Sequence, residues 1–177
     1  MFCIEDEDFL QEPQRNHIDK LLNGIDFPVY FMDHGLTNDG NAQFVHSIIK
    51  RPEGCPDEER FNSPYVDFFM SCIMTFMMKH KIKINKVERM AVNCCYNNGS
   101  YQPGIHSDHE YEHKQFILYL NTPMDKNTPT LVFDKDCKTL LKEIYPKQYK
   151  GACFDGLPHT FTYPSKGLRW ALIVTFT

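Results

Sequence analysis

From residue 87 onward the chain is a succession of short segments: VERMAVNCCY (87–96), QFILYLN (115–121), PTLVF (129–133), KGACF (150–154), HTFTY (159–163) and LRWALIVTF (168–176). Each is rich in β-branched or aromatic residues, which suit a pleated, half-buried surface. Between them stand turn formers: Asn97-Asn98-Gly99, Thr122-Pro123, Asp155-Gly156 and Pro164-Ser165-Lys166-Gly167. This texture predicts a mainly β fold, a sandwich or jelly-roll barrel with helices packed on one face.

The first 86 residues read as mixed helix-and-strand support. RNHIDKLLNG predicts a short helix with Asn16 as its cap and Gly24 as its stop. FPVYF (27–31) resembles an edge strand, and 50–60 is a polar loop. Ser63-Pro64 predicts the start of a helix over 64–80, by a hydroxyl cap followed by Pro at the first position. Its apolar residues cover nearly the whole circumference, so burial on most sides is expected, in a buttressing role.

At 177 residues the simplest organisation is one domain, 1–177, with 87–177 as the β core. The net charge of −4 gives no general pull toward nucleic acid or an anionic membrane. The acidic start and the lack of an apolar run of spanning length predict neither export nor membrane insertion. Seven cysteines, an odd number without C-x-x-C spacing, point to a reducing, cytoplasmic setting.

Residues 96–113, YNNGSYQPGIHSDHEYEH, contain two overlapping metal-binding patterns. His109 to His113 spells H-E-x-x-H, which grips zinc only on a helix. Pro103-Gly104 upstream and the continuous apolar run FILYL downstream oppose a helix here, so a solvated acidic loop is the favoured account of these residues. His106-Ser107-Asp108 spells H-x-D, which needs an extended chain, where residues two apart point the same way. His17-Ile18-Asp19 is also H-x-D, but in a helical pattern, where the two side chains diverge.

The residues downstream favour H-x-D. Two histidines and a carboxylate on one face of an octahedral ion form the facial triad of non-haem Fe(II) oxygenases. His159, opening a later strand, supplies the second histidine. 2-Oxoglutarate fills two of the remaining positions, and its far carboxylate calls for a fixed bidentate partner, Arg rather than Lys. Arg169, among apolar residues of the last strand, answers that need.

With these residues in place, the stretch 87–177, and more loosely 27–86, resembles the Fe(II)- and 2-oxoglutarate-dependent oxygenases, in particular their prolyl-4-hydroxylase-like branch of small phage and microbial type. CCYNNGSYQPGIHSD resembles that branch's tyrosine, Gly-bearing turn and H-x-D. YPKQYKGACFDGLPHTFTYPSKGLRWALIVTF resembles its final segment. The resemblance implies a double-stranded β-helix core. It implies a metal site of His106, Asp108 and His159, with Arg169, Tyr96 and Tyr119 toward the co-substrate; Tyr101 and Trp170 are weaker candidates for the pocket wall. It implies Fe(II), 2-oxoglutarate and O2 as cofactor and co-substrates, with ascorbate as a stimulant. The family's Gly-Gly before the strand PTLVF is missing here, which leaves substrate presentation by that loop open.

The substrate expected from the resemblance is a peptidyl or free amino-acid side chain, or another small molecule. AlkB-like nucleic-acid demethylases carry a second Arg where this chain has Thr175, which counts against a nucleobase. Two further functions compete with an oxygenase: a zinc peptidase, and a non-catalytic barrel that binds metal. Specificity is expected in loops 32–62, 97–105 and 122–128.

Overall fold

A computed structural model describes residues 1–33, 42–97, 99 and 102–177. Tyr101 lies outside the described residues. Ten strands, β1 (Cys3–Asp6), β2 (Tyr30–Met32), β3 (Gln43–Ile49), β4 (Val87–Tyr96), β5 (Lys114–Tyr119), β6 (Thr130–Phe133), β7 (Leu140–Ile144), β8 (Gly151–Asp155), β9 (His159–Phe161) and β10 (Leu168–Phe176), form two antiparallel sheets. The major sheet has the order β1-β8-β5-β10-β4-β3-β2 and the minor sheet β7-β6-β9. An isolated antiparallel bridge between His106 and His159 extends the minor sheet. From β4 onward the chain winds between the sheets: major, minor at His106, major, minor through β6 and β7, major, minor, major. This alternation is the double-stranded β-helix, as the β texture and the resemblance implied.

β4 and β10 have the expected bounds, and β2 is an edge strand, three residues downstream of where FPVYF begins. β1, β3 and β7 were not anticipated. β1 and β7 are short edge strands rich in charge, without the apolar run that marks the inner strands.

Two helices back the major sheet, and each departs from expectation at its start. α1 (Glu12–Asn23) begins ahead of Asn16, because Pro13 is tolerated only in a first turn. Its entry is tied by the Gln11 amide donating to Gln14 Oε1 at 2.9 Å, and Gly24 closes it. α2 (Val66–His80) starts two residues after Pro64, and Ser63 Oγ accepts the Tyr65 amide in the turn before it. Burial is one-sided, not circumferential. Phe69, Cys72, Ile73, Phe76 and Met77 form one stripe, while Met78 is 74% exposed.

That stripe packs with Phe9, Ile18, Met90, Val92, Phe116, Leu118, Leu172 and Val174 into the larger core. A second, smaller cluster lies between the sheets, around Ile117, Tyr119, Val132, Phe154, Ala171 and Ile173. The strands therefore send alternate residues to a helix-backed face and to an inner face. No helix among the described residues is long and apolar enough to cross a membrane, and all seven cysteines are free thiols.

Candidate metal centre

A cavity of about 460 Å³ opens between the sheets. Strand parity decides which residues reach it. On β4 these are Arg89, Ala91, Asn93 and Cys95; on β10, Arg169 and Ile173; on β5, Gln115 and Ile117. The antiparallel register sets Arg89, Thr175 and Gln115 side by side across β4, β10 and β5. His106, Asp108 and His159 line the same cavity from the minor-sheet side.

The two histidines are held alike. His106 N–H pairs with the His159 carbonyl at 3.0 Å and His159 N–H with the His106 carbonyl at 2.8 Å, which brings their rings to 4.8 Å between centroids. His106 Nδ1 donates to the Gly104 carbonyl at 3.0 Å and His159 Nδ1 to the Leu157 carbonyl at 2.9 Å. Each bond fixes the tautomer that leaves an Nε2 lone pair, the form in which imidazole binds a metal. Burial, opposed by Asp108 and helped by His106, pushes His159 down to about 4. The ring is therefore neutral at pH 7.

Asp108 is the complement. Burial would raise its carboxyl, but His159, Arg89 and Arg51 outweigh burial and hold it well below the usual carboxylate range. Arg51 forks onto it, with Nη1 donating to the backbone carbonyl and Nη2 to Oδ1, both at 2.5 Å. Arg89 stands 3.7 Å from the same oxygen, and burial pulls its guanidinium down to about 10 despite Asp108. Oδ2 is buried without a hydrogen-bond partner, 3.5 Å from His159 Nε2, whose lone pair accepts from Gln115 Nε2 at 3.2 Å. Gln115 Oε1 is a further buried acceptor without a partner. Electron-rich atoms facing one another in a buried space call for a cation, and N/O donors of this type suit a divalent transition metal. Among the described residues, no three such side chains are already closed to metal-binding spacing. Mutual repulsion of the donors, and the pull of Arg51 on Asp108, act against closure.

Arg169, the expected anion partner, lines the same cavity. It is 3% exposed, has no carboxylate partner among the described residues, and keeps a buried Nε without an acceptor. Nη2 donates to Thr130 Oγ1 at 2.8 Å, and the guanidinium lies over the Phe161 and Tyr119 rings. Thr130 sits two residues along β6 from Val132, the register partner of His159.

The tyrosines take other places. Tyr119 is fully buried in the second core, and its hydroxyl donates to the Ile144 carbonyl and accepts from Thr130. It therefore orients the threonine that holds Arg169, and it is not among the cavity-lining residues. Tyr96 is corrected more sharply. Arg169 pairs with Cys95, so Tyr96, one residue on, is turned away from the cavity and packs near Phe44. Trp170, by the same parity, packs on the helix-backed core. Sequence reasoning missed Arg51, Arg89 and Gln115, and nothing local to those residues marks them.

The H-E-x-x-H pattern is not helical. His109 and His113 meet edge-on at 4.9 Å in an irregular segment. His109 uses one ring nitrogen toward Glu53 and the other on Thr175 Oγ1 at 2.8 Å. The helical H-x-D behaves as expected too, with the His17 ring tilted against Phe68 while Asp19 accepts from Tyr149.

No family model and no curated protein matches the chain in sequence. Solved structures do match in fold. An oxidoreductase of the 2OG-Fe(II) oxygenase family from Burkholderia pseudomallei superposes with a TM-score of 0.75 at 13% identity, over 99% of this chain and 84% of that one. A Trichoplax adhaerens prolyl hydroxylase, solved with a hypoxia inducible factor peptide fragment, gives 0.66 at 15%, over 98% and 82%. A Pseudomonas putida prolyl-4-hydroxylase gives 0.60 at 13%, over 98% and 91%. The chain thus has the double-stranded β-helix fold of the 2-oxoglutarate/Fe(II) oxygenases, prolyl hydroxylases among them.

Proposed function

We propose that the protein is a non-haem Fe(II) dioxygenase that couples decarboxylation of 2-oxoglutarate to hydroxylation of a substrate. The observation that carries this is the pairing of two sites in one cavity. His106, Asp108 and His159 bring metal-binding donors to it, and Arg169 stands buried in the same cavity with no counter-anion among the described residues. When bound, Fe(II) with 2-oxoglutarate supplies the oxidising chemistry, in which O2 yields succinate, CO2 and a hydroxylated product. The protein's own residues do the rest. The Gly104 and Leu157 carbonyls keep both histidines in the ligating tautomer. Arg51 holds Asp108 ionised and aims Oδ2 inward. Thr130 and Tyr119 hold the Arg169 fork for a distal carboxylate. Ile117, Ile173 and Phe161 exclude water from the walls.

The fold neighbours include a protein solved with a peptide and others named as an epimerase and a carbocyclase of nogalamycin biosynthesis. The fold therefore accepts peptides and small molecules, and an amino-acid side chain is the first substrate class to test here. Anaerobic titration of the protein with Fe(II) and 2-oxoglutarate tests the reading, through their visible charge-transfer band. Wild type should show the band and His159→Ala should lack it. Folded wild-type protein without a band sinks the oxygenase assignment.

A further inference from the structure

The cavity has more positive charge than the co-substrate needs. Apart from Arg169, it is lined by Lys50, Arg51 and Arg89 against Glu53 and Asp108. Arg51 is committed to Asp108. The Glu53 side chain is 57% exposed and lies against His109 at 3.4 Å. Arg89 is left with one distant acidic partner, Asp108 Oδ1 at 3.7 Å, an oxygen that Arg51 already occupies at 2.5 Å. Lys50 has no carboxylate within ion-pair distance among the described residues. Farther along β4, Asn93 Oδ1 is a buried acceptor without a partner, and only Ala91 stands between it and Arg89 on that face.

We infer that this β3–β4 wall is a carboxylate-recognition subsite, in which Arg89, assisted by Lys50, holds the carboxylate of a small substrate such as a free amino acid. The inference rests on the oxygenase reading above. A guanidinium whose side chain is 15% exposed has lost most of its hydration and is stabilised by a paired anion, which none of the described residues supplies in full. Asn93 Oδ1 accepts a hydrogen bond from a donor elsewhere on the same substrate. Size limits the choice. The whole cavity lies in the lower part of the ~300–1,000 Å³ range of single-ligand sites, and it must also take 2-oxoglutarate. One under-paired guanidinium and one ammonium without an ion pair among the described residues, lining such a space, fit one compact anion. A nucleic-acid backbone needs a basic stripe on the outside.

The test uses protein loaded anaerobically with Fe(II) and 2-oxoglutarate, titrated calorimetrically with the free L-amino acids and with their C-terminal amides. At least one acid should bind, and its amide about tenfold or more weaker, the scale of one charge-assisted hydrogen bond. In Arg89→Met the acid-to-amide ratio should fall to within about threefold, with Lys50→Met between the two and Arg89→Lys keeping part of the preference. The ratio is taken within one variant, so a partial loss of fold or metal affects both ligands alike. The charge-transfer band separates the two failures. Absence of the band overturns the oxygenase reading. A normal band overturns the subsite alone if acids and amides bind alike, if no amino acid binds, or if Arg89→Met keeps the wild-type ratio.

Discussion

The two faces of the major sheet are made by the same strands, yet their residues answer to different constraints. Phe116 points to the helices, where it packs edge-on and tilted against Phe9 and Phe76 in a continuous apolar cluster. Ile117, its chain neighbour, points to the cavity, in the company of Gln115, Arg169 and His159. The same holds on β4, where Met90 and Val92 are core and Arg89 and Asn93 are not. One face collects its stability by burying apolar area. The other buries charges and unpartnered polar atoms, arrangements that cost stability and persist where a site needs them. The helix-backed face therefore holds the larger apolar core, and the inner face holds the candidate site beside a smaller one.

The largest effect that could break this division is in core packing. Phe116→Ala should cost about 3–5 kcal/mol, the range for truncating a buried Phe where close neighbours cannot collapse. Ile117→Ala should cost about 2 kcal/mol, because it opens onto an existing cavity and encloses no new void. Urea unfolding at pH 7 measures both. Equal costs at the two positions would show that the inner face is as well packed as the outer one.

The next effect is pH dependence. Folded His159 sits near 4, below its unfolded value of about 6.5. Burial, with Arg51 next, lowers His109 as well. Between those limits the unfolded chain binds more protons than the folded one. The contribution is thus fully present above about pH 6.5 and lost as pH falls toward 4. Unfolding in the presence of a chelator should show a loss of about 1–3 kcal/mol over that window, smaller in His159→Gln. A profile that is flat from pH 7 to 5 would contradict a neutral buried pair.

Legibility in the sequence followed the same division. β4 and β10 were readable because they are long and carry apolar residues to the helix-backed core at every second position. H-x-D and His159 carry local signals, the first as a short motif and the second by opening its strand, and an antiparallel bridge sets His106 beside His159. Arg51 was not, since its bond to Asp108 joins residues 57 apart and depends on how the loop after β3 folds back. Tyr96 was misplaced for a subtler reason. The β4–β10 register turns Cys95 inward and Tyr96 outward. A one-residue change of parity exchanges faces, and only the pairing of two distant strands fixes parity.

The smallest expected change in stability is the most telling for function. Arg169 has its charge buried beside aromatic rings, with one hydrogen bond to Thr130 and no ion pair among the described residues. A buried charge without a paired anion costs stability, so an apolar side chain of similar length in its place is expected to be neutral or stabilising. Thr130 would lose a donor in Arg169→Met but would still donate to Tyr119. Arg169→Met should therefore unfold at the same urea concentration as wild type or a higher one, while 2-oxoglutarate affinity measured by calorimetry falls by about 100-fold or more, the cost of a charge-assisted fork. If the variant is instead destabilised by several kcal/mol with its 2-oxoglutarate affinity intact, Arg169 serves the fold and not the co-substrate. The contrast between the faces would then end at the metal ligands and would not extend along β10.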